Sequence, residues 1–241
     1  IALNMGGPGA IFWMWVAAFV GMATKFYTCS LAIMYRGKDS LGSIQGGPMY
    51  VIEEGMGKKW RFLSYIFSIA GVIGLLAIFQ ANQLTAVTQA VLLEPDTMEE
   101  TVRNRWIIGI IMMLLTALVI LGGLKRIAAV ASKMVPFMVA IYFATVLIIV
   151  VQYVGDIPSI FKLILVDAFT GNAVMGGAVG SVIIVGARRA AFSNEAGIGT
   201  APMVHGQSQN DEPIREGLIA MLGPFIDTVV VCTLTALAIL L

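Results

Sequence analysis

The sequence predicts an all-α integral membrane protein, and three observations carry that prediction. Of its 241 residues, 59% are apolar and only 12% charged, with a mean hydropathy of +0.90. A soluble domain carries about a quarter charged residues, because its surface faces water. The charges are also clustered, which leaves uncharged runs at 1–24, 62–93, 106–124, 134–155 and 168–187, each at or beyond the roughly 18 residues that a spanning helix needs. Finally, the runs are continuous rather than alternating over about ten residues, which selects helices over a barrel. A soluble enzyme, a nucleic-acid-binding module and a disordered tail are excluded. The net charge of +1, from 15 basic and 14 acidic side chains, implies no polyanionic partner and no nucleic acid.

About six transmembrane helices are expected, at 9–35, 62–92, 105–121, 133–153, 168–187 and 214–241. The first ends at a loop carrying Arg36, Lys38, Lys58, Lys59 and Arg61, the third at Lys125, Arg126 and Lys133, and the fifth at Arg188, Arg189 and Arg215. The second loop is dominated by Glu94, Asp96, Glu99 and Glu100, with Arg103 and Arg105 at its end, and the fourth has only Lys162. Basic residues therefore gather in the odd loops, which the positive-inside rule assigns to the cytoplasm. The first helix then runs from outside to inside. Because the chain starts without an initiator Met inside one apolar run and stops inside another at Leu241, it is expected to be a fragment of a longer membrane protein.

Within the second span lie Gln80, Asn82, Gln83, Thr85 and Thr88. Amides at membrane depth are costly unless they meet protein or a watered cavity, so they either bond helix to helix or serve a function. The uncharged run of this span would reach about 48 Å as a helix, so it should tilt or project. The fifth span carries Gly171, Gly176, Gly177, Gly180 and Gly186. Positions 176–180 fall about 12 to 18 Å inward from Ala168. Glycine there fits close helix packing and equally an unwound segment that coordinates a substrate or ion. Arg188 and Arg189 are expected to mark the cytoplasmic interface, with an irregular turn through Pro202 beyond it. His205, the only histidine, reads as a capping or solvated side chain, since the companions of a metal site are absent. Cys29 and Cys232 read as buried packing thiols. No catalytic triad and no phosphate-binding loop can be assembled, so the chain is not expected to be an enzyme. Lys25 and Asp227 each lie about 16 to 18 Å along a helix from a cytoplasmic charge. Either they face the bundle interior as an intramembrane pair, since each is expensive alone, or both helices extend into the cytoplasm and each charge is simply hydrated.

Several stretches together resemble the alanine or glycine:cation symporters, also called sodium:alanine symporters. They are Gly6-Gly7-Pro8-Gly9-Ala10 through Phe12-Trp13-Met14-Trp15, Gly21-Met22-Ala23-Thr24-Lys25, Gly46-Gly47-Pro48-Met49-Tyr50, Phe79-Gln80-Ala81-Asn82, Phe192-Ser193-Asn194-Glu195-Ala196-Gly197 and Met221-Leu222-Gly223. The resemblance implies the leucine-transporter fold of two inverted five-helix repeats, with helices one and six interrupted at the substrate site. Residues 1–153 would hold helices two to five and 168–241 helices six and seven, leaving out most of helix one and everything from helix eight onward. It also implies a sodium-coupled symporter of small neutral amino acids such as alanine or glycine, working in the lipid bilayer of the cell membrane with sodium as coupling ion and no organic cofactor. By the same resemblance, Gln80 and Asn82 would contact substrate from helix three, and Gly176, Gly177 and Gly180 would present backbone groups to it. Phe192, Ser193, Asn194 and Glu195 form the family motif. The competing readings are a non-coupled membrane channel and a structural membrane subunit.

Overall fold

The computed structural model describes residues 2–40, 42–74, 78–93, 98–170 and 179–241. A short α1 (Ala2–Gly6) leads into the long α2 (Gly9–Met34). A two-stranded antiparallel ribbon follows, β1 (Gly37–Lys38) with β2 (Ile44–Gln45), in which Gly37 faces Gln45. Next come α3 (Pro48–Tyr50), a π-helix Val51–Met56 and a 3-10 turn Lys58–Trp60, then α4 (Arg61–Gly74), α5 (Ile78–Thr88) with a π-helical end Gln89–Leu93, and α6 (Met98–Ile120). The chain continues through α7 (Gly123–Gln152), a 3-10 turn Val154–Asp156, α8 (Ile157–Thr170), α9 (Val179–Ser193) and α10 (Thr200–His205). It closes with α11 (Pro213–Pro224), a π-helix Phe225–Val231 and α12 (Cys232–Leu240), which join end to end.

Among the described residues, four helices are long and apolar enough to cross a membrane: Gly9–Met34, Glu100–Ile120, Arg126–Gln152 and Pro213–Leu240. They fall on the first, third, fourth and sixth of the expected spans. The second expected span is described in two pieces, α4 and α5, on either side of residues 75–77. Of the fifth, residues 168–170 belong to α8 and residues 179–187 to α9, and the rest of the expected span lies outside the described residues.

The structure divides into two units, Ile1–Ile69 with Thr145–Leu241, and Ala70–Ala144. In the first, α2 is the central post, with α8, α9, α10 and α11 packed on it. Small residues permit the close approach: Ala10 and Ala18 on α2 and Ala190 on α9 are fully buried, and short side chains let backbones come together where no hydrophobic force separates lipid from protein. Pro8 precedes the helix, where a missing amide hydrogen costs nothing. The free amide of Gly9 donates to Asp167 Oδ2 at 2.7 Å, so α2 is capped by a carboxylate on α8. Trp13 Nε1 donates to the Ala168 carbonyl at 3.2 Å and Trp15 Nε1 to Thr233 Oγ1 at 2.7 Å. In the second unit α5 packs on α6, and Gln89 ties them, donating to the Thr101 carbonyl at 2.7 Å.

Candidate functional site

The site begins with how α9 lies on α2. A Cβ placed on Gly186 would come within 2.7 Å of the Ala10 carbonyl oxygen and of Trp13 Cβ, and one on Gly21 within 3.1 Å of the Asn194 amide. From Gly186 to Asn194 is eight residues, as is Trp13 to Gly21, so the two helices run in parallel. At Ser193 α9 stops, and helix resumes at Thr200.

Local chemistry dictates that interruption. Asn194 Oδ1 accepts from the Ala196 amide at 2.9 Å, an Asx turn that competes with helical hydrogen bonding. Glu195 has φ 54, the only positive value outside glycine among the described residues. A left-handed non-glycine residue persists only where its surroundings hold it, and here Thr200 Oγ1 donates to Glu195 Oε2 at 2.6 Å. Gly197 and Gly199, at φ 102 and 93, supply the two further left-handed positions that a side chain would resist.

The interruption sits at mid-span. The 26 residues of α2 centre between positions 21 and 22, and Asn194 packs there. The 28-residue span Pro213–Leu240 centres between positions 226 and 227, within the π-helix Phe225–Val231. Such widened turns recur at functional sites. Asp227 Oδ2 accepts from Ser193 Oγ at 2.6 Å and from Thr228 Oγ1 at 3.2 Å. Asn194 Nδ2 donates to Thr228 Oγ1 at 3.4 Å, and both residues are buried. Ser193 Oγ also lies 3.5 Å from Cys232 Sγ. A carboxylate at the centre of a span costs about 2.5 to 3.5 kcal/mol to insert. The ion pairs among the described residues, Arg36–Asp211, Arg61–Glu53, Arg103–Glu100 and His205–Glu216, do not include Asp227.

The carboxylate, the hydroxyls of Ser193 and Thr228, and the negative C-terminal end of α9 converge as hard oxygen and negative potential, the surroundings that suit a small cation. On the α2 side of α9 lies a cavity of about 370 Å³, lined by Trp13, Gly21, Thr24, Ala187, Ala191 and Asn194 among others.

Of the residues expected from the sequence, Ser193, Asn194 and Glu195 meet at this break, and Asp227 joins them. Phe192 is exposed, with the Arg189 guanidinium 5.4 Å from its ring centre. Lys25 lies on a helix packed against α11, its Nζ 3.1 Å from where a Cβ on Gly223 would stand. That is one turn before Asp227, and the two form no ion pair. Gln80 and Asn82 stand exposed on α5, in the other unit. Gly176 and Gly177 lie outside the described residues, and Gly180 is already helical, with open space around its Cα.

Two expectations are corrected. Arg188 and Arg189 do not close the span, since the chain follows α2 onward until Gly206 meets Gly46. An arginine stem covers apolar surface and its head stacks on an aromatic face, so a double arginine can sit well before a helix ends. His205 is neither a cap nor freely solvated, since its Nδ1 lies 2.6 Å from Oε1 of the buried Glu216. Thr228 went unnoticed in the sequence, though its neighbour Asp227 marked the place. Cys29 and Cys232 are free thiols, buried and half-buried.

The sodium:alanine symporter family matches residues 1–241. The chain is 43% identical over 245 residues to an uncharacterized transporter of Haemophilus influenzae, covering all of this chain and 52% of that protein. It is 40% identical to the sodium/alanine symporter AgcS of Methanococcus maripaludis, over 98% of this chain and 51% of the relative. To the amino-acid carrier protein AlsT of Bacillus subtilis it is 39% identical, over 100% and 50%. The chain thus spans about half the length of the curated relatives it matches. The family is one of transporters and not of enzymes, and its apolar helices make this an integral membrane protein. With a match that runs the length of the sequence, the chain belongs to the sodium:alanine symporter family.

Proposed function

We propose that this chain provides the interrupted-helix part of a sodium-coupled symporter of small neutral amino acids such as alanine or glycine, in the cell membrane. The observation that carries the reading is the break at residues 194–199, set beside Asp227 at the centre of both neighbouring spans. Transporters place broken helices at the bilayer midplane, where freed backbone groups and helix ends meet substrate and ion. In this reading α9 and α10 are the two halves of helix six of the leucine-transporter fold, α2 is helix two, and α11 with α12 is helix seven.

Sodium is then bound by Asp227 with Ser193 and Thr228. The hydroxyls, now donating to the carboxylate, turn their lone pairs to the ion when it arrives. A carboxylate compensated by a monovalent cation is less costly at that depth than either charge alone, so ion binding also settles the geometry of the break. Gln80 and Asn82 on α5 are retained as candidate substrate contacts and so, independently of them, are the glycines at 176, 177 and 180, where small residues would admit small side chains. An extra methylene is rejected by only about 1 to 3 kcal/mol in such a pocket, which sets selectivity rather than exclusion.

Uptake of labelled alanine by the intact protein in proteoliposomes, with and without an inward sodium gradient, tests the reading. Sodium-driven accumulation is expected. Equilibration without accumulation would favour the non-coupled channel, and no uptake a structural role.

A further inference from the structure

At Gly57, with φ 94, the chain turns out of the π-helix Val51–Met56 into the 3-10 turn Lys58–Trp60 and on into α4. The turn lies in the first basic loop, which the charge pattern assigns to the cytoplasm. It presents Lys58, Lys59, Trp60 and Arg61 in succession, all of them exposed. Arg61 is engaged: its Nε lies 3.4 Å from Glu53 Oε1 and its guanidinium 5.7 Å from the Tyr65 ring centre. No ion pair among the described residues includes Lys58 or Lys59. Glu54, the other acid of this stretch, lines a hollow with Arg36, Lys38 and Asp211, where the charges balance. Trp60 and Phe62 stack with ring centres 6.1 Å apart, and tryptophan is a residue of the headgroup level.

Beyond these cations α4 has two unlike faces. On one, Ser64 is buried and its Oγ donates to the Met49 carbonyl at 3.4 Å, and a Cβ on Gly199 would come within 2.6 Å of the Phe67 ring. That face is taken up by protein. On the other, Phe62, Tyr65, Ile66 and Ile69 recur at helical spacing, each more than half exposed. From Lys59 to Ile69 is about 16 Å along the chain axis, close to one leaflet's share of the roughly 30 Å hydrocarbon core.

We propose that this open face is the seat of one anionic phospholipid, its phosphate at Lys58 and Lys59 and an acyl chain along Phe62, Tyr65, Ile66 and Ile69. Charge and length both select that occupant. Two ammonium groups outside any ion pair attract an anion at the membrane surface, and the apolar stripe that starts beside them, one leaflet long, accepts a chain attached to that anion. A soluble anion would satisfy the lysines and leave the stripe bare. A zwitterionic lipid would bring a cation of its own to the lysines. The seat does not depend on the symport reading.

The test uses the intact protein in phosphatidylcholine vesicles that carry increasing fractions of phosphatidylglycerol spin-labelled near the top of its acyl chain, which quenches nearby tryptophan. The part of the quenching that disappears in Trp60→Phe reports this seat. In the wild type that part should saturate well below the fraction needed with equally labelled phosphatidylcholine. Lys58→Gln/Lys59→Gln should need roughly thirtyfold more phosphatidylglycerol, a factor of about five for each lysine at a membrane surface, and Lys58→Arg/Lys59→Arg should restore the wild-type curve. Arg126→Gln/Lys133→Gln, which removes the same charge from the third loop, should leave it unchanged. Equal shifts in the two neutralised proteins would reduce the seat to a general surface potential and overturn the proposal, as would equal wild-type curves for the two lipids. Loss of the quenching on adding millimolar inorganic phosphate would make this a site for a soluble anion and overturn it as well.

Discussion

Ile1–Ile69 with Thr145–Leu241 and Ala70–Ala144 differ in how much of their polar side-chain chemistry crosses between helices. In the first, Ser193, Asn194, Asp227 and Thr228 bond one another across helices, 34 residues apart in sequence. In the second, Thr85 and Thr88 turn back to carbonyls four residues earlier on their own helix and Gln80 and Asn82 are exposed, while Gln89 reaches across to Thr101 on α6. Burial follows the same division: 33% of the most apolar stretch of α2 is buried, against 6% of that of α6. A packed bundle uses polar groups to lock a geometry. A helix with open faces, as in the second unit, leaves its polar groups unlocked.

The sharpest way to break the contrast is at glycine. Gly186→Leu drives a side chain into the Ala10 carbonyl, whereas Gly109→Leu on α6 meets open space. Overpacking ordinarily costs about 1 to 3 kcal/mol, and against rigid backbone the cost should exceed that. Size-exclusion profiles of the expressed protein should therefore lose the monodisperse peak for Gly186→Leu and keep it for Gly109→Leu. Matching profiles would mean that α2 and α9 do not pack as described.

Next in size is Asp227→Asn, which keeps the shape and removes the charge. Bonds to charged groups are worth about 1.5 to 3 kcal/mol, so half-maximal uptake should need roughly ten- to hundredfold more sodium, with the protein still folded. An unchanged sodium dependence would remove Asp227 from the ion site.

For the open unit the corresponding change is Asn82→Ala. If its amide reaches substrate, alanine affinity should fall by about 1 to 3 kcal/mol, the cost of an unmatched polar group, with expression retained because the side chain has no partner to lose among the described residues. Unchanged affinity with lost expression would make the amide a helix-packing group. The smallest effect is expected for Gln89→Leu, which cuts the tie to Thr101 and Arg105. The neutral bond to Thr101 is worth about 0.5 to 1.5 kcal/mol and the 3.3 Å bond from the exposed Arg105 adds little in water, a shift of a few degrees in unfolding temperature with transport unaltered.

The long spans were legible because an uncharged run of sufficient length has one solution in lipid. The motif from Phe192 to Gly197 was legible as a resemblance, but its depth was not. Arg188 and Arg189 pointed to an interface, and only the packing of Gly186 and Asn194 along α2 shows the chain continuing beyond them. The signal for a break was nevertheless present: an asparagine followed by glycines at the third and fifth positions is turn chemistry wherever it lies. The His205–Glu216 contact had no local signal, since eleven residues and a connecting segment separate the two. Gln89 differed from the other amides of its helix only in what it meets on α6.

The π-helix Phe225–Val231 is, in counting terms, a helix holding one residue more than its turns require. A surplus of that kind works like a slipped thread. Excising one residue from it would let the helix regularise, turning everything from Cys232 onward by about 100° relative to α11. Trp15 would lose Thr233, and Ser193 would lose its neighbour Cys232. A single codon thus sets the rotational register between the two halves of this span, which makes a one-residue deletion there far more disruptive than most substitutions in the same stretch.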